Sequence, residues 1–125
     1  MKCNAILAHE IGGPEVMKWE EIEIGDPGPG EALIRHTGVG MNFIDVYFRT
    51  GLYPAPSMPL CPGMEGAGVV ENIGDGVTEV AIGDRVAYAG MPVGAYSQHR
   101  LIPAHRLVVI PDGIHDETAA SMMLK

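Results

Sequence analysis

Apolar and polar positions alternate over short stretches of this chain, and glycine or proline cuts each stretch after a few residues. Lys2–Ala8 reads as a strand, followed by a turn at Gly12-Gly13-Pro14, where proline lacks a donor and glycine permits the bend. A second strand is predicted over 16–24. Its run Glu21-Ile22-Glu23-Ile24 puts carboxylates on one face and isoleucines on the other, as a half-buried antiparallel strand requires. Those glutamates are expected in solvent, and Trp19, the only tryptophan, in the core or at its rim. Asp26-Pro27-Gly28-Pro29-Gly30-Glu31 can continue neither strand nor helix and is a loop. Residues 32–39 form a third predicted strand, with Ala32, Ile34 and His36 facing one way and Leu33, Arg35 and Thr37 the other. His36 reads as an ordinary strand residue.

The period changes at Asn42, whose side chain can cap a short helix with Asp45 in its first turn and Gly51 placed to end it. Phe43, Val46 and Tyr47 fall on one face of that helix. The proline-stiffened loop 53–59 is expected to cover a cleft. Further strands are predicted over Glu65–Ile73, Arg85–Ala89, 95–102 and 106–110, and many short strands with such punctuation indicate an all-β barrel or sandwich. Gly63, Gly66 and Gly68 allow close approach of a neighbouring chain, side chain or ligand, and a barrel corner explains them without any function. Residues 114–125 begin with acids and continue with helix formers, so a helix is expected there whose continuation is missing; the chain is read as a fragment.

Composition narrows the classes. A chain of 125 residues, 46% hydrophobic, is one domain in size and can bury a core. Its net charge of −8 repels a phosphate backbone, which argues against nucleic acid as a partner. Cys3 and Cys61 stand in neither a CxxC nor a Cys/His spacing, so no disulfide framework or zinc knuckle is indicated, and two free thiols suit a reducing compartment. The apolar run near the N-terminus is too short for a signal peptide and no run reaches membrane-spanning length, so a cytoplasmic protein with no membrane partner is expected.

The pattern Gly63-Met-Glu-Gly-Ala-Gly-Val-Val-Glu-Asn-Ile-Gly-Asp-Gly-Val, then Ala81-Ile-Gly-Asp-Arg-Val86, resembles the N-terminal catalytic domain of the medium-chain dehydrogenase/reductase superfamily. Within it, Asn42-Phe43-Ile44-Asp45-Val46-Tyr47, Arg49-Thr50-Gly51-Leu52-Tyr53-Pro54 and Gly94-Ala95-Tyr96 are similar to the quinone oxidoreductase branch, the relatives of zeta-crystallin. The resemblance runs over the whole chain. It implies a mainly β fold, a GroES-like, partly open β-barrel with short helices. Residues 1–125 would be an incomplete catalytic domain, with the Rossmann cofactor domain of a two-domain enzyme absent. Accordingly, Gly28-Pro-Gly30, Gly38-Val-Gly40, Gly66-Ala-Gly68 and Gly74-Asp-Gly76 all lack the third glycine of a dinucleotide fingerprint.

Zinc-dependent members of the superfamily carry a Cys and a His where this chain has Asn42 and Met64. An amide and an uncharged thioether make no ordinary zinc site, residues 87–96 hold no cysteine for a structural zinc lobe, and the five histidines form no HxH or HxxxH pair. Without a Lewis acid, a simple ketone is hard to activate, whereas a quinone spreads the charge of an arriving hydride over its own conjugated system. Hydrogen-bond donors then suffice. Phenol hydroxyls are protonated donors at neutral pH, and an amide donates or accepts.

The resemblance therefore implies an NADPH-dependent, zinc-independent quinone reductase, commonly a homodimer, acting on a quinone or related conjugated carbonyl. Tyr47, Tyr53 and Asn42 take catalytic roles in it, and Asn42, Phe43, Ile44, Tyr47 and Tyr53 line the nicotinamide. The three catalytic side chains are expected to converge on one cleft beside the Gly63 to Gly68 turn. Each also has a structural reading, a helix cap for Asn42, ring packing for Tyr47 and loop closure for Tyr53, and Glu65 nearby reads as a turn anchor. Ser97, Gln98 and His99 lack a third orienting group and support no hydrolase triad. An enone or enoyl-thioester reductase of the same superfamily, and a non-enzymatic co-chaperonin-like binding module, are the alternatives.

Overall fold

The computed structural model describes residues 1–124; Lys125 lies outside them. Its order is β1 (Lys2–Ala8), a 3-10 turn, β2 (Met17–Glu23), β3 (Glu31–Gly40), α1 (Phe43–Thr50), β4 (Glu65–Ile73), β5 (Arg85–Ala89), β6 (His99–Pro103), a second 3-10 turn, β7 (Val108–Val109) and α2 (Asp116–Ala119). β1 and β2 form an antiparallel pair, and the other strands form a five-stranded antiparallel sheet in the order β6-β3-β4-β5-β7. Single bridges, Ala5 to Ser97 and Ala8 to Leu60, tie β1 to the segments that lead into β6 and β4. The result is a mainly β, partly open barrel with short helices.

Two layers of apolar side chains follow from the strand alternation. Ala32 and Ile34 of β3, Val70 of β4, Val86 and Tyr88 of β5 and Ile102 of β6 close the main core. Ala67 and Ala87, on the opposite face, pack against Ala119 and Ala120 of the α2 region. Arg85 fixes that contact by donating from Nε and a terminal nitrogen to Asp116 Oδ1 at 3.1 and 2.6 Å. The same contact, with a further bond from Thr37, holds the Asp116 carboxyl below its usual range.

Most expected strands are in place, though the one over 106–110 shrinks to Val108–Val109 behind the second 3-10 turn, and three further departures are informative. The stretch 95–102 becomes a regular strand only from His99, because residues 95–98 bond to several partners in turn. Tyr96 N–H donates to the Pro62 carbonyl, and the Tyr96 and Gln98 carbonyls accept from Ile6 and His36 N–H. The expected C-terminal helix is one turn, Asp116–Ala119. The Met123 and Leu124 N–H groups, which a longer helix would use internally, are captured by Glu65 Oε2 at 2.8 and 3.2 Å. The part of that expectation falling on Lys125 lies outside the described residues. Finally, the loop 53–59 borders neither of the two grooves beside α1. Ala55 packs on the Ala8, Val16 and Leu60 cluster, and Tyr53 packs on α1.

His36 is more than a generic strand residue. Its Nδ1 lies 2.7 Å from the Ser97 carbonyl, which can only accept, so Nδ1 carries the proton and Nε2 accepts from the Tyr88 hydroxyl at 2.7 Å. Arg100 donates to the same hydroxyl at 3.2 Å and to the Pro92 and Val93 carbonyls at 3.0 and 3.2 Å. Burial, then the charges of Arg100 and His99, push the His36 imidazole down to about 4. Because the unfolded chain binds this proton near the ordinary histidine value, stability is full above about pH 6.5 and is lost as pH falls toward 4. The expected loss is about 3 kcal/mol. Urea unfolding at a series of pH values checks it: His36→Gln, which keeps one acceptor and one donor, should flatten the slope in that window, and an unchanged slope rejects histidine titration as the cause.

Candidate active site

α1 sets the geometry of the site. Asn42 is its N-cap, Asp45 Oδ2 accepts the Asn42 backbone N–H at 3.1 Å, and Gly51 ends the helix in the left-handed region at φ 86°. Asn42, Phe43 and Ile44 border an apolar cleft of about 910 Å³, with Pro62, Tyr96 and Arg49 among its other walls. Phe43 is 82% exposed at its mouth.

Two buried carboxylates hold the polar groups of the cleft, Asp45 as one of its walls and Glu65 through its bond to Asn42. Asp45 accepts the Tyr96 hydroxyl at 2.6 Å through Oδ2, while its Oδ1 is buried with no protein partner. Burial and the hydrogen bond to Asp45 push the Tyr96 phenol well up, so it stays protonated. Glu65 accepts from Asn42 Nδ2 at 3.0 Å. A carboxylate only accepts, so the amide nitrogen faces Glu65 and keeps one further N–H. Glu65 is thus more than a turn anchor.

The structure brings the expected site residues together in two groups. Asn42, Phe43 and Ile44 share the cleft. Tyr47 and Tyr53 pack edge to face, ring centroids 5.4 Å apart, with Phe48 against Tyr53 at 5.9 Å, and neither tyrosine is among the cleft's walls. Helix geometry explains the split: five residues separate Asn42 from Tyr47, about 140° round the axis. A second groove, about 640 Å³, is bordered by Ile6, Trp19, Val39 and Met41, and meets the first at Met41 and Tyr96. Trp19, 60% exposed, takes the rim and not the core, because β2 pairs with β1 alone.

Asp45 and Tyr96 in the cleft wall, and Glu65 bonded to Asn42, are the polar residues that sequence patterns mark least. An acid three residues after a capping Asn signals the first; nothing local marks Tyr96 as its partner, 51 positions away. Neither thiol offers a nucleophile of ordinary strength: Cys3 is buried, and burial pushes Cys61 up to about 11. Met64 is buried at 6% exposure, and among the described residues no three His, Cys, Asp or Glu side chains gather as a metal cage. An amide committed to Glu65 and a buried thioether are a donor set unsuited to zinc.

Comparison with known proteins agrees with this geometry. Residues 28–112 match the alcohol dehydrogenase GroES-like domain. The chain is 51% identical to a quinone oxidoreductase of Pseudomonas aeruginosa over 114 residues, 91% of this chain and 35% of that protein. It is 43% identical to a 2-haloacrylate reductase of a Burkholderia species, covering 97% of this chain and 38% of the relative. The crystal structure of Escherichia coli quinone oxidoreductase complexed with NADPH superposes with a TM-score of 0.93 at 42% identity, over 96% of this chain and 37% of that one. The chain thus spans little more than a third of the length of these relatives. It belongs to the medium-chain dehydrogenase/reductase superfamily, as an N-terminal GroES-like domain of the quinone oxidoreductase branch.

Proposed function

We propose that this domain is the substrate-side half of an NADPH-dependent reductase that acts, without zinc, on a quinone or related conjugated carbonyl. The observation that carries the reading is Asn42: its amide, held by a buried carboxylate, stands at an apolar cleft where zinc-dependent relatives place a metal ligand. The walls suit the nicotinamide end of the cofactor, since Phe43, Ile44 and Val46 offer flat or apolar surface and Asn42 a single polar point. They do not suit its phosphates, because among the described residues Arg49 is the one cation in these walls. Those phosphates and the adenosine would be held by a cofactor domain elsewhere in the protein. Bound NADPH supplies the hydride. The protein's own residues orient the ring, exclude water and, through Asn42 and the Tyr47 and Tyr53 hydroxyls, donate hydrogen bonds to the oxygen that gains charge.

The homodimer and the cytoplasmic setting belong to this same reading; among the described residues, no helix is long and apolar enough to cross a membrane. A second reading, reduction of an activated alkene conjugated to a carboxyl or thioester carbonyl, is favoured by the similarity to the 2-haloacrylate reductase. The family match disfavours the co-chaperonin-like module. One assay tests these readings. The protein from its whole reading frame, stripped with chelator, is expected to oxidise NADPH with a para-quinone and to leave a saturated ketone untouched. Turnover that requires stoichiometric zinc rejects the reading, and turnover of a haloacrylate with none of the quinone selects the second. The isolated domain should bind NADPH too weakly for calorimetry to detect at micromolar cofactor.

A further inference from the structure

Glu65 opens β4 and is 1% exposed, and among the described residues no lysine, arginine or histidine pairs with it. Three N–H groups hold it instead. Oε1 accepts from the Asn42 amide at 3.0 Å, and Oε2 accepts from the Met123 and Leu124 backbones at 2.8 and 3.2 Å. Gly40, opposite Glu65 in the β3–β4 register, keeps the space open, since a Cβ there would lie 2.8 Å from Oε1 and would collide with the Ala120 carbonyl. One rigid carboxylate therefore joins the cleft, through Oε1, to the segment following α2, through Oε2.

We infer that Glu65 is the positioning residue for Asn42, and that it couples the placement of the 123–124 backbone to the orientation of the cleft amide. This rests on the reading of the cleft as the cofactor and substrate site. A buried carboxylate whose two oxygens are both engaged cannot tilt toward one set of donors without loosening the other. A shift of the 123–124 backbone thus reaches Asn42 through Glu65, besides whatever Leu124 does as a wall of the same cleft. Glutamine does not reproduce this arrangement. Its volume is similar, but with its oxygen kept on the two backbone donors its NH₂ meets Asn42, whose amide must then turn over to present oxygen in place of nitrogen.

The test uses the protein from its whole reading frame, with asparagine side chains labelled by ¹⁵N and the Asn42 signal assigned by its loss in Asn42→Ala. In the parent protein, one Asn42 NH₂ proton should exchange slowly. Glu65→Gln should release it, and Met123→Pro, which removes an N–H donor to Oε2 at a residue outside the walls of the cleft, should shift the same signal. Both changes should lower kcat with quinone by about tenfold, as expected for a misplaced orienting group, with KM for NADPH within about twofold. If Glu65→Gln does not fold, Met123→Pro still decides the matter. An Asn42 signal unmoved in Met123→Pro overturns the coupling. Signals that move as stated while Asn42→Ala leaves turnover intact support the positioning and reject the cleft's catalytic reading. A large loss in Asn42→Ala with none in Glu65→Gln does the reverse.

Discussion

Replacing Gly63 with alanine is expected to destabilise the domain by about 3 to 5 kcal/mol, the sum of backbone strain and overpacking. Gly63 has φ 106°, a region that an L side chain rarely adopts. An added Cβ would also lie 2.6 Å from Tyr96 Cδ1 and 2.7 Å from Ala95 Cβ. Neither neighbour can retreat. The Gly63 carbonyl accepts the Gly94 and Ala95 N–H groups at 2.9 and 3.2 Å, and the Pro62 carbonyl accepts that of Tyr96 at 2.9 Å. At its far end, the Tyr96 ring is tethered to Asp45 by the 2.6 Å hydrogen bond. Gly63→Ala should therefore lower the urea midpoint sharply and also disturb both grooves, which meet at Tyr96. Combining it with Tyr96→Ala should recover part of the loss by removing the nearest obstacle. A change below about 1 kcal/mol would show that the loop yields more easily than its hydrogen bonds imply.

The same residue shows what sequence can and cannot disclose. Gly63-Met64-Glu65-Gly66 is legible as a place of close approach, because glycines clustered where a turn enters an apolar strand leave open the space that side chains would fill. What approaches is not legible. The occupant is Tyr96, brought in by hydrogen bonds between segments more than thirty positions apart. β1, β4 and β5 are readable to the residue, since alternation and flanking glycines are local signals. The short α2 is not, because its length is decided by a carboxylate in β4 that takes the next turn's N–H groups. Asn42 is readable as a helix cap from spacing, and as a site residue only through the family resemblance. Its tie to Glu65 depends on the β3–β4 register, which places Gly40 and Glu65 opposite one another. Trp19 and His36 show the same limit: strand membership is local, whereas the neighbour across the sheet edge is not.

Removing both phenol hydroxyls, Tyr47→Phe with Tyr53→Phe, is expected to cut quinone turnover of the whole enzyme by about two to three orders of magnitude. That corresponds to roughly 3 to 4 kcal/mol, the scale of losing donors to a developing oxyanion. The rings pack edge to face at 5.4 Å, a contact that phenylalanine keeps. Among the described residues, neither hydroxyl donates to a protein acceptor, so both are free to serve a ligand. Unfolding midpoints should therefore agree with the parent within about 0.5 kcal/mol, which separates a chemical role from a packing one. The split geometry sharpens the test. Since Asn42 lies about 140° round α1 from Tyr47, a substrate served by both must bridge the N-terminal end of the helix rather than lie along its side. Because all three donors then serve one oxygen, the effects of Asn42→Ala and the double phenylalanine change should combine to less than their product. If the double change leaves kcat and KM for quinone as they were, the tyrosines only brace the loop 53–59 against α1, and Asn42 with Tyr96 and Asp45 must carry the polar recognition in the cleft.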